Sequence, residues 1–252
     1  MQCSPPATLR WHYDVFGNSI AIASFAESAA ELRIESELQL ETYVVERPAF
    51  QLTPTAMSYP FNYSANDRID LGRMLECQYS DPTDRLGSWA RGFVRSNPTD
   101  TTALLADLNR GVAACISYQS RESEGTQTPV ETLNRGWGSC RDFAVLLIEA
   151  ARSLGFGARV VTGYLYRPIT DLHGPAVVGA STTHAWAEIY VPDCGWVGYD
   201  PTNGTIGSGD LIRVAVTRDI SQAVPIAGSF VGAPGDNLGM TIDVSVVAAK
   251  MP

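Results

Sequence analysis

"GWGSCRDFAVLLIEAARSLGF", residues 136 to 156, sets one cysteine between a glycine-rich turn and an apolar run too long for a strand. Phe143, Leu146, Leu147, Ala150 and Leu154 recur at the three-and-four step of a helix face, which predicts a helix. Ala144, Val145, Ile148 and Ala151 fill most of the remaining circumference. Only Arg141, Asp142, Glu149, Arg152 and Ser153 are polar, the pattern of a helix that runs through a core. Ser139 is a good N-cap after Gly136 and Gly138, and Gly155 is placed to end the helix in a left-handed conformation. Cys140 is then the first helical residue. Unpaired backbone N–H groups and the positive end of the helix dipole stabilise a thiolate there, which is how a nucleophile is made. A lone cysteine elsewhere is more often a small buried hydrophobe, so the reading depends on finding a base and a group that orients the base.

Composition bounds the function classes. The 252 residues are 45% hydrophobic, ordinary for a globular protein with one large or two smaller domains. A formal net charge of -9 argues against a general binder of nucleic acid or anionic membranes. The sequence predicts neither a membrane span nor a secretory leader, and hence a cytoplasmic location. The five cysteines, Cys3, Cys77, Cys115, Cys140 and Cys194, are odd in number and scattered, which fits reduced thiols. With three histidines and neither Cys-x-x-Cys nor His-Glu-x-x-His, no metal site and no cofactor are expected.

The organisation changes near residue 80. Before it, 19–25 and 31–43 read as strands, the second alternating Leu32, Ile34, Leu38 and Leu40 with polar residues, and "FGNS" at 16–19 reads as a turn. "NDRIDLGRMLEC" carries a short helical signal with Asn66 or Asp67 as cap. Helices are predicted over 84–96, over 100–118 with Asp100 capping, and at "TPVETL", where Thr128 caps and Pro129 takes the first turn. After the Cys140 helix come strands at 158–166, 183–191, 195–200, 212–217 and 240–248. Strands, then helices, then strands predict an α+β fold with the buried helix packed on an antiparallel sheet. The expected division is a small β-region and connector over 1–80, with part of its sheet upstream, and a second domain over 81–252.

The base must be His12, His173 or His184. His173 lies in a loop signal and His12 beside the first strand, whereas His184 opens the strand "THAWAEIYV" on one face with Trp186, Glu188 and Tyr190. The next strand ends at Asp200, in "VGYDPTN". Register parity decides whether the two meet. A four-residue loop pairing Val191 with Trp196 puts Asp200 opposite Ala187, on the wrong face. An odd loop with a bulge at Gly195 puts Asp200 opposite Trp186, a diagonal neighbour of His184. Cys140, His184 and Asp200 then supply nucleophile, base and orienting carboxylate.

"GWGSCRDFAVLLIEAARSLGFGARVVTGYLY", "THAWAEIYVPDCGWVGYDPTNG" and "IRVAVTRDISQAVPIAGSF" resemble the bacterial transglutaminase-like cysteine proteases, a branch of the transglutaminase-like superfamily with a papain-like core. The resemblance covers about residues 84–250 and implies Cys140 as nucleophile, His184 as base and Asp200 as orienting acid. The implied chemistry is acyl transfer through a thioester on Cys140. The Cys140 N–H is a natural first oxyanion donor, with the Trp137 indole and the Gln127 amide as candidates for the second. Tyr164 and Trp186 are candidates for the walls of an acyl pocket. Well-studied transglutaminases carry an aromatic residue after the nucleophile, where this chain has Arg141 and Asp142, and no acidic loop resembles their calcium sites.

Three readings follow: a peptidase or amidase acting on a peptide or protein substrate; a protein transglutaminase or deamidase; and an interaction module, which would need none of the three residues. Hydrolysis is expected, because Arg141 and Asp142 hold water near the thioester if they face it. The sequence gives no oligomeric state.

Overall fold

The computed structural model describes residues 1–41, 56–121, 125–166, 183–207 and 209–247. The chain divides into two compact units, Met1–Val45 and Glu46–Pro252.

In the first unit, β1 (Gln2–Ser4) pairs antiparallel with β4 (Arg33–Glu35), and β2 (Ala7–Tyr13) with β3 (Ser19–Phe25). The β2–β3 turn is closed by the Asp14 carboxylate, which accepts the Phe16 and Asn18 N–H groups at 2.8 Å each. The strand expected over 31–43 shrinks to Arg33–Glu35; residues 36–41 carry no strand, and 42–43 lie outside the described residues. Alternation permits a strand, but only a partner makes one.

The second unit opens with β5 (Ser58–Tyr59), α1 (Ala65–Leu71), α2 (Arg85–Arg91), β6 (Thr99–Asp100), α3 (Thr101–Cys115), β7 (Ser117–Tyr118), α4 (Pro129–Arg135) and β8 (Trp137–Gly138). The central helix α5 (Cys140–Ser153) follows, then β9 (Ala158–Leu165), β10 (Thr183–Val191), β11 (Gly195–Asp200), β12 (Thr205–Ile206) and β13 (Leu211–Thr217). The last five strands form one antiparallel sheet in the order β12-β11-β10-β9-β13. The fold is α+β, as the order of elements predicts.

Local signals locate the helices well. Asp100 caps α3 by accepting the Ala103 N–H at 2.7 Å, and Thr128 with Glu131 forms the box that opens α4. α1 is capped by Ser64 rather than Asn66 or Asp67, because the helix begins two or three residues earlier than those caps imply and Ser64 Oγ accepts the Asp67 N–H. α3 ends at Cys115, and Ser117–Tyr118 leave the helix to pair in parallel with Trp137–Gly138. α2 ends at Arg91, where Phe93 turns to pack edge-on against Trp89. The strand expected over 240–248 is not formed among the described residues: 240–247 carry no strand, with Met240, Ile242 and Val247 exposed, and 248 lies outside them.

The core is built around α5. Phe143, Leu146, Leu147 and Ala150 pack with Val160, Ala187, Ile189 and Tyr199 of the sheet and with Leu104, Leu105 and Leu108 of α3. Each of the Leu, Ile, Val and Phe side chains contributes about 1.5–3 kcal/mol by leaving water. Three of the five polar residues of α5 are buried too: Asp142, Glu149 and Arg152. Glu149 and Arg152 satisfy one another at 2.7 Å, and Glu149 also accepts the N–H groups of Gln78 and Tyr79. Arg152 donates to the carbonyls of Met74, Ala158 and Arg218, joining four segments of chain in one buried network.

Candidate active site

The position of Cys140 is set by the turn before α5. Gly136 ends α4 in the left-handed region (φ +68°), its N–H donating to Thr132 O, and a two-residue strand returns the chain to the helix start. Ser139 caps α5 in extended conformation, and Cys140 is the first helical residue, part-exposed. Gly138 has no room for a side chain, since a Cβ there would lie 2.8 Å from Cβ of Asp142. Gly155 ends the helix with φ +89°. All five cysteines are free.

The sheet supplies the other two residues. Val191 pairs with Gly195 across a three-residue loop, with Asp193 (φ +64°) and Gly195 (φ +70°) in the left-handed region. The ladder runs through Ala187 with Tyr199, so the odd register holds and Asp200 falls opposite Trp186. His184 Nε2 and Asp200 Oδ2 are 2.9 Å apart, both residues buried. Asp200 is seated by the Thr202 N–H (2.9 Å) and the Asn203 side-chain amide (2.8 Å). The other ring nitrogen, Nδ1, is buried without a hydrogen-bond partner among the described residues, which leaves it for the Cys140 thiol. Burial alone would lower the His184 pKa. The Asp200 hydrogen bond, the interaction with Cys140 and the charges of both outweigh it, and the value rises to about 9. Burial likewise works to raise the Asp200 pKa, but the His184 hydrogen bond and charge, with Asn203 and Thr202, hold it below the usual carboxylate value.

A thiol, an imidazole with one nitrogen free, and a carboxylate on its other nitrogen are the parts of a cysteine acyl-transfer centre. Residues 87–201, which contain all three, match the model of the transglutaminase-like superfamily. The chain carries a transglutaminase-like domain. It is 26% identical over 244 residues to a protein of Mycobacterium leprae, covering 96% of this chain and 84% of that protein. It is 30% identical over 181 residues to a protein of Mycobacterium tuberculosis, covering 69% of this chain and about half (55%) of that protein. A solved structure from Cytophaga hutchinsonii, described as a candidate cysteine protease, superposes with a TM-score of 0.56 at 19% identity, over 88% of this chain and 70% of that one. That likeness is one of fold.

The remaining residues singled out in the sequence are distributed around the transglutaminase-like domain. Trp186 is buried and stacks on His184, ring centroids 6.2 Å apart. Tyr164 pairs with Thr183, which by strand alternation puts it on the face away from His184. Trp137 lies in β8 with the Arg135 guanidinium over its ring. Gln127 is 3% exposed, and both polar atoms of its side chain are buried without a partner among the described residues. His12 is exposed in the first unit, and His173 lies outside the described residues.

The two charged residues beside Cys140 do not form a wet flank. Asp142 is 0% exposed and points into a set of donors, and Arg141 donates to the Arg121 carbonyl. Sequence alone could not show this, because the counter-charge for Asp142 is Arg121, twenty-one residues earlier. Tyr118 was also missed. The β7–β8 pairing sets it opposite Gly138, and its pKa is raised, by burial first and then by Cys140. Asn203, which orients Asp200, is signalled only by the turn residues after Asp200.

Proposed function

We propose that this protein is a thiol-dependent acyl-transfer enzyme acting on amide bonds of a peptide or protein, with water as the acceptor. Cys140 Sγ attacks the amide carbonyl, His184 Nδ1 carries the proton that passes to the leaving amine, and Asp200 on Nε2 orients and charges the ring. The Cys140 N–H at the start of α5 and the Gln127 amide receive the oxyanion. Water then releases the acyl group from the thioester with His184 as base. The observation that carries the reading is the division of the His184 ring: Nε2 is held on Asp200 at 2.9 Å, while Nδ1 is buried with no hydrogen-bond partner among the described residues and the ring interacts with Cys140.

Water is assigned as acceptor because hydrolysis needs no second substrate site. The test is to incubate the protein with a peptide library, with and without a labelled primary amine, and to identify products by mass spectrometry. Free acids in both arms, lost in Cys140→Ala, are expected. Predominant amine adducts would assign the protein to the transferases, and no Cys140-dependent product in either arm would refute acyl transfer.

A further inference from the structure

The N-terminus of α5 is organised by a carboxylate that the proposed chemistry does not use. Asp142 Oδ1 accepts the Gln127 N–H at 2.7 Å, and Oδ2 accepts the Ser139 N–H and hydroxyl at 2.8 Å each. Arg121 Nη2 spans both oxygens at 2.8 and 3.0 Å and reaches the Gly125 carbonyl at 3.2 Å. One fully buried carboxylate therefore ties two segments together: the residue before Cys140, and the residue whose side-chain amide is buried with both polar atoms unpaired among the described residues. Leaving such an amide unpaired costs about 1–3 kcal/mol for each polar atom, and a bound carbonyl oxygen would relieve that cost at the donor Nε2. Gly138, against which Asp142 is packed with no space for a Cβ, keeps the carboxylate in this seat.

We propose that Asp142 is the positioning residue of the oxyanion site: it fixes the Gln127 segment against the start of α5, so that the Gln127 amide and the Cys140 N–H act on one substrate oxygen. The inference rests on the acyl-transfer reading of Cys140. Asp142 touches no reacting atom and works through the two donors it anchors. Arg121 supplies its counter-charge, so the buried carboxylate can serve as an acceptor for both segments. Asparagine in its place would keep the shape but turn a donor toward the Gln127 or Ser139 N–H, and would leave Arg121 without its counter-charge.

The test separates oxyanion binding from thiol reactivity. A peptide aldehyde forms a hemithioacetal: sulfur bonds to the carbonyl carbon, the C=O π bond breaks, and the thiol proton passes to the oxygen, which takes the oxyanion position. Alkylation of Cys140 by iodoacetamide needs no such site. Aldehyde affinity and alkylation rate are measured for the whole protein, Asp142→Asn and Gln127→Ala, with circular dichroism to confirm folding. Expected is a loss of aldehyde affinity of about 10-fold or more in both variants, with the alkylation rate and its pH profile unchanged. The double variant should be no worse than the poorer single one, because the two act as a unit. Unchanged aldehyde affinity in Asp142→Asn overturns the proposal, as does an equal fall in alkylation, which marks a merely structural role. If Asp142→Asn does not fold, Gln127→Ala and Ser139→Ala decide it, each expected to lose aldehyde affinity with alkylation unchanged. Should the intact protein bind the aldehyde yet release no product from any peptide, the acyl-transfer reading fails while the positioning role stands. No aldehyde binding at all overturns both.

Discussion

Replacing Asp200 with asparagine tests the electrostatics of the site most directly. In the intact protein the His184 pKa stands at about 9 against an ordinary 6.5. A rise of about 2.5 units corresponds to about 3 kcal/mol of preference for the imidazolium. Burial opposes that preference, so the favourable part, from the Asp200 hydrogen bond and charge and from Cys140, is larger than the net. Asn keeps a polar atom near Nε2 but removes the charge, and the burial penalty remains. The His184 titration should therefore fall by more than about one unit. The assay is the pH dependence of kcat/KM on an amide substrate, whose alkaline limb reports loss of the imidazolium in the free enzyme, supported by NMR titration of the ring. The intact protein should lose activity near pH 9, and Asp200→Asn well below it. A wild-type limb near 6.5, or a limb unmoved by the substitution, would refute the reasoning. Stability carries the same sign. A raised His184 pKa contributes stability that is fully present below 6.5 and lost as pH rises through about 9. The depressed Asp200 contributes stability above its ordinary 3.8, lost as pH falls through its lowered value. The melting-temperature gap between the two proteins should be widest between these limits and close above pH 9.

At pH 6, Cys140 should react with iodoacetamide at least about tenfold faster than Cys77 or Cys194, whose thiols burial pushes up; peptide mapping that shows equal labelling would contradict the assignment. His184→Ala should slow turnover more than Asp200→Ala, because an orienting group is partly replaceable by water and a base is not; the reverse order in single-turnover rates would argue against these roles. Arg152→Met should destabilise the fold by about 3–5 kcal/mol in urea titration, since it strands buried Glu149, whereas Arg73→Ala, from an exposed pair with Glu76, should cost about 1 kcal/mol or less.

What the sequence determined by itself was everything carried by neighbours along the chain. The helix at Cys140–Ser153, its Ser139 cap, the left-handed Gly155, the Asp100 cap and the Thr128 box all follow from residues within one turn of each other. Such signals survive folding because the hydrogen bonds they describe are local. The positions of Cys140, His184 and Asp200 on a helix start, a strand start and a strand end were legible for the same reason. Tertiary structure decided the rest. Alternation over 240–248 and 31–43 permitted strands, but pairing is non-local, and among the described residues of the two stretches only Arg33–Glu35 found a strand to pair with. The hairpin parity that brings Asp200 to His184 hung on one residue of loop length, settled when Asp193 and Gly195 took left-handed conformations. Asp142 read as a residue that holds water near the thioester and proved to be fully buried, because its counter-charge arrives from Arg121, on another segment of the chain. A charged residue's environment is set by what the fold brings to it, and no spacing along the sequence records that.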